Sequence, residues 1–196
     1  MNQLMLENNL PLDVFAKLAN DRAFFINGLI NDSIASEICA SLLAKDLENN
    51  KQIYLFINSS GGYVQDILSI YDTMKILKSP IRTIALGEVS AESVLLLAAG
   101  QKGERYISKN SHIILTKLYH NSGIYGDMKA AKIHMNFLQI KTDSYMNSLS
   151  DCLGIKLKDL NKILENDVYL FAEDAVKFGI VDKLVKVGPN GNKVSR

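Results

Sequence analysis

Residues that build metal and disulfide scaffolds are scarce in this sequence. Its 196 residues include two cysteines (Cys39, Cys152), three histidines (His112, His120, His134), three prolines and no tryptophan. Two cysteines cannot form a disulfide framework or a metal cluster, so no metal site is expected and no cofactor is called for. Charge of one sign is missing too: 22 Lys and Arg face 21 Asp and Glu, a formal charge of +1. That balance leaves no broad footprint for nucleic acid or an anionic membrane. Apolar runs are short, with Val94 to Ala99 about six residues long against the roughly 20 of a membrane span. Met1 to Asn9 has no basic stretch leading into an apolar run, so no secretory signal is expected. Reduced cysteines in a cytoplasmic setting follow as the simplest expectation. Few prolines and no long polar tract argue against disorder. What is present, at 47% apolar residues, is one soluble domain large enough to bury a core.

Patterning then predicts the elements. Asn9 to Ala19 has helical spacing (Leu10, Val14, Phe15, Leu18), and Ala23 to Ile26 reads as a short strand ending near Gly28. Asp32 is the expected cap of a helix carrying Ile34, Ile38, Leu42 and Leu43. Ile53 to Ile57 is an unbroken apolar run, which predicts a parallel strand covered on both faces. A helix with Val64, Ile67, Leu68, Tyr71, Met74 and Leu77 inward should end at Pro80. Strand Ile81 to Leu86, a turn at Gly87 and a helix from Ala91 to Ala99 come next, then short strands at Tyr106-Ile107 and Ile113 to Leu115. This alternation predicts an α/β sheet with right-handed crossovers.

Past Leu118 the chain is polar to Gly126, and Asp127 to Leu149 then predicts a helix of about 23 residues. Its apolar positions occupy more than one stripe, which reads as an interface element, with an ordinary core helix as the plainer alternative. A helix over Leu157 to Glu165, another over Ala172 to Phe178 capped by Gly179, and a strand Ile180 to Leu184 complete the pattern. No linker divides the chain, so one domain is expected. Its head comprises about 9–118 plus 150–187, its handle about 119–149, and 188–196 form a flexible tail.

Ligands of α/β sheets gather beyond the carboxyl ends of strands. Two such ends carry suitable residues. Asn58-Ser59-Ser60-Gly61-Gly62 enters a helix, and consecutive glycines let backbone N–H groups face outward as in an oxyanion hole, although a plain tight turn has the same look. Gly87 to Ser93 is a strand–turn–helix junction of the kind that presents a nucleophile.

Several words, in order, carry a resemblance. They are Ile53 to Gly62, Ile70 to Met74, Ala99 to Arg105, Asn110-Ser111 and Ala175 to Asp182. From roughly Leu12 to Lys186 the chain resembles the proteolytic subunit of the Clp protease, a serine peptidase family with a crotonase-like fold; Ser60 stands where that family usually has Pro. The resemblance implies a head built of β-β-α and βαβ units and a long projecting handle helix. It assigns the oxyanion hole to Gly61, Gly62 and Glu92. The family's Ala-Ser-Met-Gly nucleophile word falls on Ser90-Ala91-Glu92-Ser93, so the nucleophile position is Ala91; the histidine position is Thr116 and the acid is Asp167. Two of three catalytic positions are thereby lost.

Neighbours are poor substitutes. Ser90 and Ser93 sit one before and two after Ala91, offsets of about 100° and 200° on a helix. His112 and His120 are each four residues from Thr116, about 13 Å along an extended strand, although the loop after Leu118 leaves His120 a route back. Thr116 is no general base near neutral pH. Glu92 sets a carboxylate beside the expected oxyanion donors, opposing the transition state. Asp167 without a histidine reads as structural, and His134 as a surface or interface residue.

The resemblance therefore implies a degenerate, non-catalytic subunit of a ring assembly. Such a subunit would stack in two seven-membered rings (a tetradecamer) around a proteolysis chamber. Its partners would be further copies or an active paralogue, an ATP-driven AAA+ unfoldase, and protein or peptide substrates, with neither nucleic acid nor membrane. Two alternatives remain open at this stage: an active serine endopeptidase using a displaced Ser and His, and a crotonase-like protein that binds acyl-coenzyme A. Ala91 alone would also suit an engineered inactive mutant, but Glu92 and Thr116 together favour natural divergence.

Overall fold

The computed structural model describes residues 5–7, 10–12, 14–118 and 126–186. Strands β1 (Met5–Glu7) and β2 (Leu10–Leu12) pair antiparallel ahead of α1 (Val14–Asn20). The helix expected from Asn9 therefore starts five residues later; a proline disfavours helical backbone in the residue before it, and Pro11 follows Leu10. The order then runs β3 (Ala23–Asn27), α2 (Asp32–Glu48), β4 (Ile53–Ser59), α3 (Val64–Ile76) and β5 (Ile81–Ser90). A 3-10 turn (Ala91–Ser93) leads into α4 (Val94–Ala98), β6 (Arg105–Ile107), β7 (His112–Leu115) and α5 (Met128–Leu153). Helix α6 (Leu157–Ile163), β8 (Val168–Phe171), α7 (Ala172–Phe178) and β9 (Lys183–Leu184) close the chain. The class is α/β, as the alternation predicts, and among the described residues no helix is long and apolar enough to cross a membrane.

Strands β3, β4, β5, β6 and β9 lie parallel in that order, and β8 joins antiparallel to β7. The central strand is β5, because two strands share one of its sides. Thr83 to Ala85 pair with Arg105 to Ile107 of β6, and Glu88 to Ser90 pair with His112 to Ile114 of β7. The change of partner occurs at Gly87, which has φ +71°. The register against β4 slips there as well, from Ile57 opposite Ala85 to Ser59 opposite Val89. A Cβ at Gly87 would stand 2.8 Å from the Asn58 side-chain oxygen, so glycine is needed both for the angle and for the approach. The expected turn at Gly87 is thus a bend inside one ten-residue strand.

Ile53, Leu55 and Ile57 of β4 join Ile38 and Leu42 of α2, Ile67 and Ile70 of α3 and all of α4 in one buried cluster. The expectation that β4 is covered on both faces is corrected: Tyr54 and Phe56 are only half-buried. Their face is covered by side chains, since Phe56 stacks on Phe25 at 4.7 Å and the Arg82 guanidinium lies 5.3 Å from the Tyr54 ring. Helix α2 is capped by Asn31, whose side-chain oxygen accepts from the Ile34 N–H, so Asp32 is its first residue. Helix α5 starts on the Asp127 cap and runs to Leu153, past the expected end at Leu149, until Gly154 turns it off at φ +69°. Strand β9 is shorter than expected because Ile180 and Val181 are spent on core packing and Asp182 on an ion pair.

That ion pair fastens the chain's end to the sheet. Asp182 accepts from Arg105 Nε at 2.9 Å and Nη2 at 2.6 Å, and from the Gly103 N–H at 2.8 Å. Burial works to raise the Asp182 pKa, but the bonds from Arg105 outweigh it and hold the carboxyl below its ordinary 3.8. Its folded pKa being depressed, its contribution to stability is present above the ordinary value and fades as pH falls through the lower folded one. Because Arg105 is only 2% exposed, Asp182→Asn should destabilise the fold by about 3–5 kcal/mol in denaturant titration and remove this acid-dependent component.

Candidate active site

The parallel register puts Ser90 beside Ile114, so the next residue, Ala91, leaves the sheet next to the end of β7. Leu115 pairs with Val168 across β7 and β8, and continuing that register one step sets Thr116 opposite Asp167. The three positions expected for nucleophile, histidine and acid are therefore gathered at one corner of the sheet. Ala91 supplies no reactive atom, Thr116 is half-buried, and Asp167 is exposed with no hydrogen bond or ion pair among the described residues.

Ala91 has φ +50°, left-handed backbone that costs a non-glycine residue roughly 1–2 kcal/mol. Its surroundings hold it there. The Ser93 hydroxyl, fully buried, has the Ser90 carbonyl at 2.7 Å and the Ser59 carbonyl at 3.0 Å as acceptors for its single proton. The Tyr145 hydroxyl of α5 donates to the Ala91 carbonyl at 3.4 Å. Burial pushes the Tyr145 phenol pKa far up, with the nearby Glu92 charge adding to it, so Tyr145 stays a neutral donor.

The glycine turn faces this corner. Gly61 has φ +107°, and its N–H donates to Ser59 Oγ at 3.2 Å. Gly62 is needed for close approach, because a Cβ there would come 2.2 Å from the Ile30 carbonyl oxygen. The Ile30 N–H donates to the Gly61 carbonyl and the Tyr63 N–H to the Ile30 carbonyl, which pins the turn to the segment before α2. The Gly62 N–H is engaged by this chain's own Glu92, whose Oε2 accepts it at 3.2 Å.

The expected substitutes are arranged for other purposes. Ser90 Oγ donates to Glu88 Oε1 at 2.8 Å, and Glu88 Oε2 lies 3.1 Å from His112 Nε2. A carboxylate thus stands between serine and histidine, whereas proton abstraction from a serine needs the imidazole in the middle. The Ser90 bond, and after it the His112 bond, hold the Glu88 carboxyl below its ordinary value. Ser93 has its proton committed to carbonyls, and His120 lies outside the described residues. Sequence reasoning missed Glu88, although it shares a strand face with Ser90 two residues away. It also missed Tyr145, which reaches the site only through the packing of α5. Among the described residues, no three His, Cys, Asp or Glu side chains gather as metal ligands.

The family model of the Clp protease matches residues 7–188. The chain belongs to the Clp protease family. A curated relative in that family, the ATP-dependent Clp protease proteolytic subunit of Carsonella ruddii (strain PV), is 35% identical over 176 residues, 89% of each chain. At the sheet's corner this Clp-family chain has the bend at Gly87, the Gly61–Gly62 turn and the left-handed elbow at Ala91. The elbow should depend on Ser93 above all. Ser93→Ala should cost about 1–3 kcal/mol in thermal unfolding, since it removes the one buried hydroxyl proton that the Ser90 and Ser59 carbonyls share. Ser90→Ala, losing one bond to a half-exposed carboxylate, should cost about 1 kcal/mol or less.

Proposed function

We propose that this chain is a non-catalytic member of the Clp protease family that builds rings around a proteolysis chamber, together with an active paralogue and an ATP-driven unfoldase. The observation that carries the reading is Ala91, held left-handed at the end of β5 by a buried hydrogen-bond network with no nucleophile to present. Thr116, beside Asp167, offers no base that could take a serine proton near neutral pH. Gly61, Gly62 and Glu92 are then a relict oxyanion hole, and Asp167 a relict acid.

Two surface features support assembly. Helix α5 buries its C-terminal part, from Tyr145 to Leu153, but exposes Met128, Ile133, Met135, Phe137 and Ile140. Five exposed large apolar side chains on one helix suit a handle that packs against another subunit. With the head at about 9–118 plus 150–187, the described part of 119–149 would be the ring-to-ring contact; 119–125 and the expected tail, 188–196, lie outside the described residues. On the open face of the sheet, Phe15, Phe25, Phe56 and Leu86 line a cleft of about 270 Å³, large enough for an apolar side chain of a docking unfoldase. A cytoplasmic location fits this reading.

Three measurements on the purified chain test it. A fluorophosphonate probe should label no serine, and peptide hydrolysis should stay at background and be unchanged by Ser90→Ala or Ser93→Ala. Native mass spectrometry with an active paralogue should give mixed rings. Rapid labelling of the unaltered chain, or hydrolysis abolished by either serine substitution, would make it an active peptidase through a displaced serine.

A further inference from the structure

We propose that Glu92 is a built-in ligand of the glycine turn, a third barrier to acyl chemistry that acts independently of the missing nucleophile and base. The inference rests on reading the Gly61–Gly62 turn as a relict oxyanion hole. Its observation is positional. The Glu92 carboxylate takes the Gly62 N–H at 3.2 Å, and the same oxygen lies 2.5 Å from where a Cβ on Gly61 would stand. The carboxylate therefore occupies the space directly over the turn, where a substrate carbonyl oxygen would have to come.

The turn cannot yield by moving aside. Its carbonyl at Gly61 is bonded to Ile30, its N–H at Gly61 to Ser59 Oγ, and Gly62 itself is pressed against the Ile30 backbone. Nor is Glu92 free to wander, since it follows the fixed Ala91 elbow and is half-buried. A tethered, ionised acceptor outcompetes a neutral carbonyl arriving from solution for one N–H, because it is already in place and its bond is charge-assisted. It also sets negative charge where an oxyanion would develop, so the donor is taken and the field has the wrong sign. Restoring a serine and a histidine would then leave the site largely closed. With Glu92 removed, the turn would take the carbonyl oxygen or oxyanion of a peptide acyl group.

The test compares two variants of the full chain. One carries Ala91→Ser and Thr116→His; the other adds Glu92→Ala. Labelling by a fluorophosphonate forms a bond from the introduced serine oxygen to phosphorus and breaks the phosphorus–fluorine bond. Fluoride leaves, and the hydroxyl proton passes to the imidazole introduced at position 116. The chain lacking Glu92 should label on the order of a hundredfold faster or more, the size of effect seen when one oxyanion donor is removed. Equal, measurable rates in both variants would overturn the proposal.

If neither variant labels, hydrogen exchange at Gly62 in the otherwise unaltered chain decides. Glu92→Ala should speed exchange of the Gly62 amide about tenfold or more, and leave the Gly61 amide, held by Ser59 Oγ, at its former rate. No change at Gly62, or equal rises at both amides, would overturn it. Labelling of the unaltered chain would instead sink the non-catalytic reading and leave the Gly62 exchange to judge Glu92 by itself.

Discussion

Everything at the candidate site depends on β5 being able to change partners. Thr83 to Ala85 pair with β6 and Glu88 to Ser90 with β7, so one edge of β5 serves two strands in succession. The bend at Gly87 falls between the two stretches, and it requires a residue without Cβ because Asn58 occupies the space beside it. Beyond the bend, Glu88 to Ser90 run alongside β7, and β8 can then return antiparallel. That sequence of pairings brings Ala91, Thr116 and Asp167 to one corner of the sheet. A side chain at position 87 would pull them apart without touching any of them.

The elbow shows how packing can hold a strained feature without any reactive group on it. Left-handed backbone at Ala91 costs roughly 1–2 kcal/mol, a substantial share of a typical domain's stability. The Ser93 and Tyr145 hydroxyls offset it, each at about 0.5–1.5 kcal/mol for a typical hydrogen bond. Relaxing the elbow would break the Tyr145 bond to the Ala91 carbonyl and the Ser93 bond that the Ser90 and Ser59 carbonyls share, so the strained conformation is the better of the two. Loss of the nucleophile oxygen removes none of those bonds. The geometry therefore persists under packing constraints alone, and the Arg105–Asp182 pair, far along the chain, keeps the adjoining sheet in register by fastening its last strand.

What could be read from the sequence follows from how local each signal is. The strand and helix pattern from Ile53 to Ala99 was legible because short-range periodicity sets it, and the family words were legible because they are contiguous. The helix start at Val14, the Asn31 cap and the end of α5 at Leu153 were each displaced by a few residues, since the last turn of a helix depends on single hydrogen bonds. The two-sided cover of β4 was misjudged for a different reason. Tyr54 and Phe56 read as core residues, yet they are only half-buried, with Phe56 stacked on Phe25 and Tyr54 beneath Arg82. At the site, the absence of a nucleophile at Ala91 was visible in one letter. The Glu92 contact with Gly62 was visible only as a charge of the wrong sign, because the separation of 30 positions along the chain hides the geometry.

The polar groups left behind still have to be satisfied, and this explains the particular residues found there. An oxyanion hole is a backbone donor held in readiness, and in an active enzyme substrate or water answers it. Where no substrate reacts, a half-buried N–H is better served by a permanent acceptor, since an unmet donor costs about 1–3 kcal/mol. Glu92 supplies that acceptor to Gly62. Ser90 is served in the same way, its hydroxyl answered by Glu88 two residues back on the same strand, and Glu88 in turn is met by His112. Both carboxylates stand where they would hinder serine chemistry, one over the expected oxyanion and one between serine and imidazole. Under the proposed non-catalytic reading, residues that close hydrogen bonds internally are stabilising at positions where they would hinder an enzyme. On that reading, Glu88 and Glu92 serve the chain's own donors rather than a substrate, each accepting a bond that would otherwise go unanswered.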